Sequence, residues 1–164
     1  MYNLIDIKEI HLEITSKCQA SCPMCPRRLQ GGPIMPWVKL TEISFDKFKE
    51  WFNIDFVKQL KKLNMCGNLG DPIIAKDTHL IFEYLRDANI DIELQMHTNG
   101  SARDMSFWQD LARLQVFVVF GIDGLTDTHS RYRIGTNFDQ IINNAETFIS
   151  AGGNARWDML VFDH

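Results

Sequence analysis

Long apolar runs, an excess of basic residues and a signal segment are all absent from the sequence. Lys and Arg number 17 against 21 Asp and Glu, so the net charge of −4 favours neither a nucleic acid nor an anionic membrane as partner. No stretch approaches the roughly 18 apolar residues of a membrane-spanning helix, and the amino terminus lacks a basic segment followed by an apolar one. We therefore expect a cytosolic protein in which residues 1–164 form one domain.

Cysteine is also scarce, with four in 164 residues, yet three of the four lie within eight positions. Thiols stay reduced in the cytosol, so such a cluster favours metal binding or chemistry over disulfides. Cys18, Cys22 and Cys25 have the spacing C-x3-C-x2-C, and two neighbouring prolines disfavour a helix around them. The sequence therefore predicts a metal-binding loop within residues 15–28.

Strand and helix patterns alternate along the whole chain in the order βαβαβαβαβ. The predicted strands cover residues 7–15, 63–66, 90–98, 116–122 and 155–162. The predicted helices begin after Ser44, before Ile81, near Asp104 and near Phe138, with a possible break of the first at Asn53 and Asp55. Helices between strands are typical of crossovers between parallel strands, so we expect an α/β fold. A doubly wound open sheet and part of a (βα) barrel both fit this order.

Unusual residues follow each of the first four predicted strands. The cysteines follow the first strand, "GNLGDP" (67–72) the second, "HTNG" (97–100) the third, and Asp123 and Gly124 the fourth. In parallel α/β folds the functional side chains lie at the carboxyl ends of the strands. These segments are therefore expected to lie together on one rim of the sheet.

Three cysteines are one fewer than the usual ligand set of a closed metal site. Structural zinc sites use four ligands, and ferredoxin clusters are held by four cysteines. Three thiolates on a cubane of four irons leave one iron free to bind a small chelating molecule. Two other hypotheses stay open: a non-catalytic iron-sulfur or electron-transfer module, and a zinc site completed by Cys66 or His97. Outside such a site, we expect Cys66 to be a simple buried thiol and His97 to be hydrogen-bonded at a strand end.

Taken together, these segments resemble the radical S-adenosylmethionine (radical SAM) superfamily. The family motif CxxxCxxC matches the three cysteines, and "GNLGDP" looks like the family's GGE segment after the second strand. "HTNG", "IDG" (122–124) and "RYRIGTNFDQIINN" (131–144) resemble the later segments. The sequence is closest to the branch that modifies peptides and proteins and often carries a C-terminal SPASM or twitch-type domain. The resemblance implies a partial, TIM-like (βα) barrel, here cut off at the fifth strand.

The same resemblance assigns roles to individual residues. Cys18, Cys22 and Cys25 would hold three irons of a 4Fe-4S cluster, and S-adenosyl-L-methionine (SAM) would chelate the fourth. Gly70 and Asp71 stand at the positions that bind the SAM amino group, where glycine allows close backbone approach. Asp71 replaces the family's usual Glu and is shorter by one methylene.

Further side chains are assigned to the rest of the SAM molecule. Met24 stands where many members have an aromatic residue and would pack on the adenine, beside the strand segment 158–162. The ribose hydroxyls would be bound by Thr98, Asn99 and Asp123. Arg131 or Arg133 would pair with the SAM carboxylate, and we expect Arg133 to be the more solvated of the two.

The implied reaction is reductive cleavage of SAM to methionine and a 5′-deoxyadenosyl radical, which abstracts hydrogen from a substrate. This oxidoreductase chemistry needs a reducing electron donor such as flavodoxin or ferredoxin. The substrate is open, and a peptide or protein is the candidate that the branch suggests. Because the chain ends on its fifth strand, we expect either a fragment of a longer protein or a partner or second copy that covers the open sheet edge.

Overall fold

The computed structural model describes residues 3–162, in which a five-stranded sheet is packed against helices. The strands are β1 (Glu9–Leu12), β2 (Lys62–Met65), β3 (Glu93–Thr98), β4 (Val116–Gly121) and β5 (Ala155–Asp158). The helices are α1 (Phe45–Trp51), α2 (Ile54–Gln59), α3 (Thr78–Ala88), α4 (Met105–Arg113), α5 (His129–Tyr132) and α6 (Phe138–Ser150). Within residues 3–162, no helix is long and apolar enough to cross a bilayer.

All five strands run parallel, and their order in the sheet follows their order in the chain. Leu12 of β1 pairs with Met65 of β2, and Met65 pairs with Met96 of β3. A doubly wound sheet reverses its strand order at a switch point, whereas this sheet keeps one direction throughout. That unreversed order is the order of a (βα) barrel. The α/β, partial TIM-like barrel expected from the sequence is therefore confirmed.

Short polar side chains fix where the helices begin. Ser44 and Asn53 each accept a hydrogen bond from the backbone N–H three residues later, so the first predicted helix is divided into α1 and α2. Asp104 caps α4 and Asn137 caps α6 in the same way. The possible break at Asn53 is thus confirmed, because its side chain starts a second helix.

The apolar faces of the helices pack on the sheet and form the core. Its largest buried side chains include Phe48, Phe82, Trp108, Phe120 and Phe148. The ring centroids of Trp108 and Phe120 are 5.3 Å apart, and those of Phe120 and Phe148 are 6.3 Å apart. Truncating a buried aromatic of this size costs about 3–5 kcal/mol. The packed core therefore fixes the strands whose carboxyl ends carry the loops described below.

The last strand is shorter than the sequence predicts. β5 ends at Asp158, whereas the strand pattern continues to residue 162. The backbone N–H of Leu160 donates to Asp123 Oδ1 at 2.7 Å instead of entering the sheet ladder. Met159 and Leu160 thereby leave the strand and line a cavity at the carboxyl end of the sheet.

Candidate functional site

A cavity of about 750 Å³ lies at the carboxyl ends of the strands. The loop after β1 contributes Cys18, Cys22, Met24 and Cys25 to its lining. The later segments contribute Gly70, Asp71, Thr98, Asn99 and Asp123. The structure therefore brings together every residue that the sequence proposes for cofactor binding except Arg131.

The cysteine loop, residues 15–28, is held by backbone contacts rather than by regular structure. The N–H of Ser16 donates to the carbonyl of Thr41 at 3.0 Å, which ties the start of the loop to the segment before α1. A tight turn joins Cys22 and Cys25, because the Cys25 N–H donates to the Cys22 carbonyl at 3.1 Å. All four cysteines of the described chain are free thiols. The thiols at the cavity are thus available as metal ligands.

Gly70 lets the loop after β2 pack directly against the cysteine loop. A Cβ atom at this position would collide with the carbonyl oxygen of Thr15, so only glycine fits. The next residue continues the contact, because the Asp71 N–H donates to the carbonyl of Lys17 at 2.9 Å. The sequence predicts that Gly70 lets the backbone approach SAM closely. In the structure, Gly70 lets the backbone approach the cysteine loop closely.

Asp71 is almost fully buried, with 5% of its surface exposed, and protein donors surround its carboxylate. Oδ1 accepts from the Thr98 hydroxyl at 2.8 Å and from the Ile73 N–H at 3.1 Å. Oδ2 accepts from the backbone N–H and the side-chain amide of Asn99, at 2.7 Å and 2.6 Å. Burial raises the pKa of Asp71, although these hydrogen bonds act to lower it. The carboxylate therefore ties the loop after β2 to the end of β3.

Asn99 is held beside the first cysteine of the motif. Its side-chain nitrogen lies 3.7 Å from Cys18 Sγ. Its side-chain oxygen accepts from Gln19 Nε2 at 2.8 Å and from the Ser101 N–H at 2.9 Å. With Asp71 on the nitrogen and two donors on the oxygen, the amide is fixed in one orientation.

Burial is the main influence on the pKa of two of the three motif cysteines. Burial, followed by the charge of Asp71, raises the pKa of the Cys18 thiol to about 12. Burial also raises the pKa of Cys22, although the charge of Arg133 acts to lower it. Both thiols are therefore protonated at neutral pH in the free protein, and a metal centre must displace their protons.

An ion pair between Asp123 and Arg133 fixes the segment after β4, and both residues line the cavity. The Asp123 side chain is 1% exposed, and its second oxygen accepts from the Leu160 N–H. Gly121 leaves room for the guanidinium, since a Cβ there would lie 2.6 Å from an Arg133 terminal nitrogen. The expectation that Arg133 is solvated is therefore wrong, because its charge is paired inside the protein.

Arg131, the other arginine proposed for the SAM carboxylate, lies away from the cavity. Its side chain is exposed on α5, and it is not part of the cavity lining. Side chains two positions apart on a helical turn do not share a face, so Arg131 and Arg133 point to different surroundings. Of the two arginines proposed for the SAM carboxylate, the structure brings Arg133 to the cavity.

Cys66 and His97, the two candidates for a fourth zinc ligand, have other neighbours. Cys66 Sγ lies 3.1 Å from His11 Nε2, and His97 Nε2 lies 2.6 Å from the side-chain nitrogen of Gln95. Cys66 is only partly buried and lines the cavity, so the expectation of a simple buried thiol is wrong. Among residues 3–162, no group of three or more His, Cys, Asp or Glu side chains is arranged to hold a single metal ion such as zinc.

Sequence reasoning missed two residues of this site. Arg27 lines the cavity and is buried, and Gln19 holds Asn99 in place. Gln19 lies inside the cysteine motif and Arg27 lies two positions after its last cysteine, but the sequence does not show that Arg27 is buried without an acidic partner. Nothing in the sequence pairs Gln19 with Asn99, which is 80 residues away.

The sequence model of the Radical SAM superfamily matches residues 12–163, which include every residue that lines the cavity. This chain belongs to the radical SAM superfamily. Radical SAM proteins are enzymes that use a 4Fe-4S cluster and SAM. No curated protein matches the sequence.

Solved radical SAM structures share the fold. "Native anSMEcpe with bound AdoMet" is 19% identical with a TM-score of 0.70, covering 94% of this chain and 43% of that one. SuiB of Streptococcus suis, bound to S-adenosylmethionine, is 16% identical with a TM-score of 0.69, covering 95% of this chain and 33% of that one. BtrN, in complex with AdoMet and 2-DOIA, is 14% identical with a TM-score of 0.63, covering 93% of this chain and 56% of that one. This chain therefore spans about half or less of each neighbour's length.

The donor set of the cavity fits the cluster that radical SAM proteins use. The three free thiols of the motif line one cavity, and cysteine thiolates are the usual ligands of a 4Fe-4S cluster. The cavity of about 750 Å³ leaves space beside the thiols for a bound small molecule. Polar groups from three other segments converge on the same space, which suits a ligand that is itself polar.

Proposed function

We propose that this radical SAM protein holds a 4Fe-4S cluster on Cys18, Cys22 and Cys25 and cleaves SAM reductively in the cavity beside it. The cluster and SAM, when bound, supply a 5′-deoxyadenosyl radical that abstracts hydrogen from a substrate. One observation carries the proposal: three thiols and the polar side chains after β2, β3 and β4 line a single cavity.

The residues opposite the cysteine motif would orient SAM. Arg133 would bind the SAM carboxylate, because a guanidinium donates to a carboxylate in a bidentate geometry. Asp123 holds Arg133 in place through the ion pair. Thr98, Asn99 and Asp123 remain the proposed partners of the ribose hydroxyls.

The contacts of Asp71 and Met24 in the cavity refine the roles that we propose for these two residues. Asp71 receives four hydrogen bonds from protein groups, so we propose that it supports the SAM amino group chiefly by fixing Asn99 and the backbone near Gly70. Met24 lines the cavity with most of its side chain exposed, which leaves the thioether free to pack on the adenine.

A peptide or protein remains the proposed substrate class. One structural neighbour is described as "Native anSMEcpe with bound AdoMet and Cp18Cys peptide"; it is 20% identical and has a TM-score of 0.68. Met159 and Leu160 add half-exposed apolar side chains to the cavity lining, which would suit a peptide side chain. A reducing donor of the flavodoxin or ferredoxin class and a cytosolic location complete the proposal.

The test is anaerobic reconstitution with iron and sulfide, followed by dithionite and SAM. The wild-type protein is expected to bind iron and to release 5′-deoxyadenosine, measured by chromatography. Cys18→Ala is expected to lose both, whereas Cys66→Ala, which removes the thiol outside the motif, keeps its iron. Bound iron without any 5′-deoxyadenosine would contradict the proposal and favour an electron-transfer module, and bound zinc in place of iron would favour a structural metal site.

A further inference from the structure

We propose that Arg27 is the charge partner of the cluster and makes the cluster easier to reduce, an inference that rests on the cluster site proposed above. Arg27 lies two positions after Cys25, and no role was assigned to it from the sequence.

Arg27 is a buried cation without an acidic partner. Its exposed fraction is 3%, and it lines the cavity. The structure shows one side-chain hydrogen bond, from Nε to the carbonyl of Ser16 at 3.0 Å. Among residues 3–162 no Asp or Glu oxygen lies within ion-pair distance of its guanidinium, which stays positively charged in proteins.

An unpaired buried charge is costly, so such a group calls for a ligand of opposite charge. Removing a charge from water costs several kcal/mol unless a partner compensates it. The terminal nitrogens of Arg27 form no hydrogen bond with the described residues, and they belong to a side chain on the cavity wall. The expected ligand is therefore an anion bound inside the cavity.

The cysteine motif identifies that anion. Arg27 lines the same cavity as the three cysteines; it lies two positions after Cys25, and its Nε donates to the carbonyl of Ser16, two positions before Cys18. A cluster held by three thiolates carries a net negative charge, and one-electron reduction adds another. A nearby fixed cation stabilises the more negative, reduced state, and net charge is one of the factors that set the potential of an iron-sulfur cluster.

The second arginine of the cavity gives a useful contrast. Arg133 is paired with Asp123, so much of its positive charge is already offset. Arg27 has no ion-pair partner among the described residues, so no direct contact offsets its charge. Arg133 is thus suited to hold a ligand in a fixed orientation, and Arg27 is suited to shift a charge-dependent equilibrium.

The test compares reduction potentials in the absence of SAM. Wild type, Arg27→Gln, Arg27→Lys and the control Arg28→Gln are reconstituted anaerobically, and iron per chain is measured first. Arg28 is the adjacent arginine; it donates to the Gly32 carbonyl at 2.7 Å and is not part of the cavity lining. The cluster is then reduced stepwise with dithionite, the one-electron donor, and the reduced fraction is followed by EPR.

Arg27→Gln is expected to make the cluster about tenfold harder to reduce, which corresponds to about 59 mV for a one-electron couple. Arg27→Lys keeps the charge and is expected to restore most of that shift. Arg28→Gln is expected to match wild type. A purely structural role of Arg27 would change the iron content and leave the potential of the loaded fraction unaltered.

The outcomes separate this inference from the proposed function. A wild-type protein that binds no iron would refute the proposed function itself. If Arg27→Gln keeps the wild-type potential and binds SAM more weakly, the anion is SAM and the inference is wrong. If Arg27→Gln fails to load iron, the reduction potential of Arg27→Lys is the deciding measurement. A potential like that of Arg28→Gln supports the inference, and a cluster that is tenfold harder to reduce overturns it.

Discussion

The cysteine loop and the segments after β2, β3 and β4 line the same cavity. They differ in how many protein partners their polar groups have. In the cysteine loop, Cys18 Sγ lies 3.7 Å and 3.8 Å from side-chain amide atoms of Asn99 and Gln19, and the buried Arg27 has no acidic partner among the described residues. In the later segments Asp71 receives four protein hydrogen bonds, and Asp123 has both a cation and a backbone donor.

This difference indicates that the two parts of the cavity have different roles in ligand binding. Groups that already have partners cost little to bury and keep their geometry before a ligand arrives. Groups without partners are the ones that a ligand must satisfy. We therefore propose that the cysteine loop binds the cluster and that the later segments form a preset frame for the rest of the ligand.

The largest expected effect is on the cysteine loop. Cys22→Ser removes one of the three thiol ligands, and the variant is expected to lose nearly all of its bound iron after reconstitution, measured per chain and by visible absorption. Cys66→Ser provides the matched control, because this thiol also lines the cavity but lies outside the motif. Equal iron in the two variants would contradict the division between the two parts of the cavity.

The next effect is on the preset frame. Arg133→Gln leaves the buried Asp123 without its cation, so the free energy of unfolding is expected to fall by about 2–3 kcal/mol, less than for a fully enclosed pair because Arg133 keeps some exposure. We also expect SAM to bind at least tenfold more weakly, since the proposed carboxylate partner is lost. Urea unfolding and equilibrium binding measure the two effects.

Arg131→Gln is the control for that change. Its side chain is exposed, so the free energy of unfolding is expected to stay within about 0.5 kcal/mol of wild type. A loss of SAM affinity in Arg131→Gln that equals the loss in Arg133→Gln would restore the role that the sequence assigned to Arg131.

A smaller effect is expected where the two parts of the cavity touch. Gly70→Ala places a methyl group against the Thr15 carbonyl, and backbone on both sides leaves no flexible group to yield. We expect a loss of about 1–3 kcal/mol in the free energy of unfolding, together with weaker retention of iron. Asn68→Ala on the same loop is exposed and should cost less than about 1 kcal/mol, so equal losses in urea unfolding would refute the contact argument.

The smallest expected effect concerns pH. His129 is buried below the Asp123 segment; its Nδ1 accepts from the Asp123 N–H at 3.3 Å, and its Nε2 lies 3.0 Å from the Thr136 hydroxyl. Burial, followed by the charge of Arg133, lowers the pKa of His129 below its ordinary value of 6.5, while Asp123 acts to raise it. The unfolded chain therefore binds the proton more readily than the folded chain.

It follows that this histidine contributes stability that is present above pH 6.5 and is lost as pH falls toward the folded pKa. The loss is at most about 1.4 kcal/mol per pH unit for one proton. Urea unfolding between pH 7.5 and pH 5.5 should show a shallower pH dependence in His129→Asn than in wild type. His79→Asn on α3 serves as the control, and an unchanged slope in His129→Asn would contradict the assignment.

Much of the fold follows from local sequence signals. The buried run at Val116–Gly121 and the caps at Ser44, Asn53 and Asp104 each depend on residues close in the chain, so their elements are predictable. The end of β5 is not, because it is decided by the bond from Leu160 to Asp123, 37 residues away.

The residues of the candidate site could likewise be predicted only in part. The cysteines, Asp71 and Asn99 could be placed on one rim because parallel strands end at the same edge of a sheet. The choice between Arg131 and Arg133 could not be made, since it depends on the ion pair with Asp123. Arg27 escaped notice because its importance comes from a missing partner, which only the packed structure reveals.

We propose that the three motif cysteines hold a cluster with one coordination position left for SAM. The most direct test is the EPR spectrum of the dithionite-reduced, reconstituted wild-type protein, recorded with and without saturating SAM. We predict that SAM changes the spectrum of the reduced cluster, because it binds the iron that carries no cysteine. An identical spectrum with and without SAM, in a protein with full iron content, would contradict the claim.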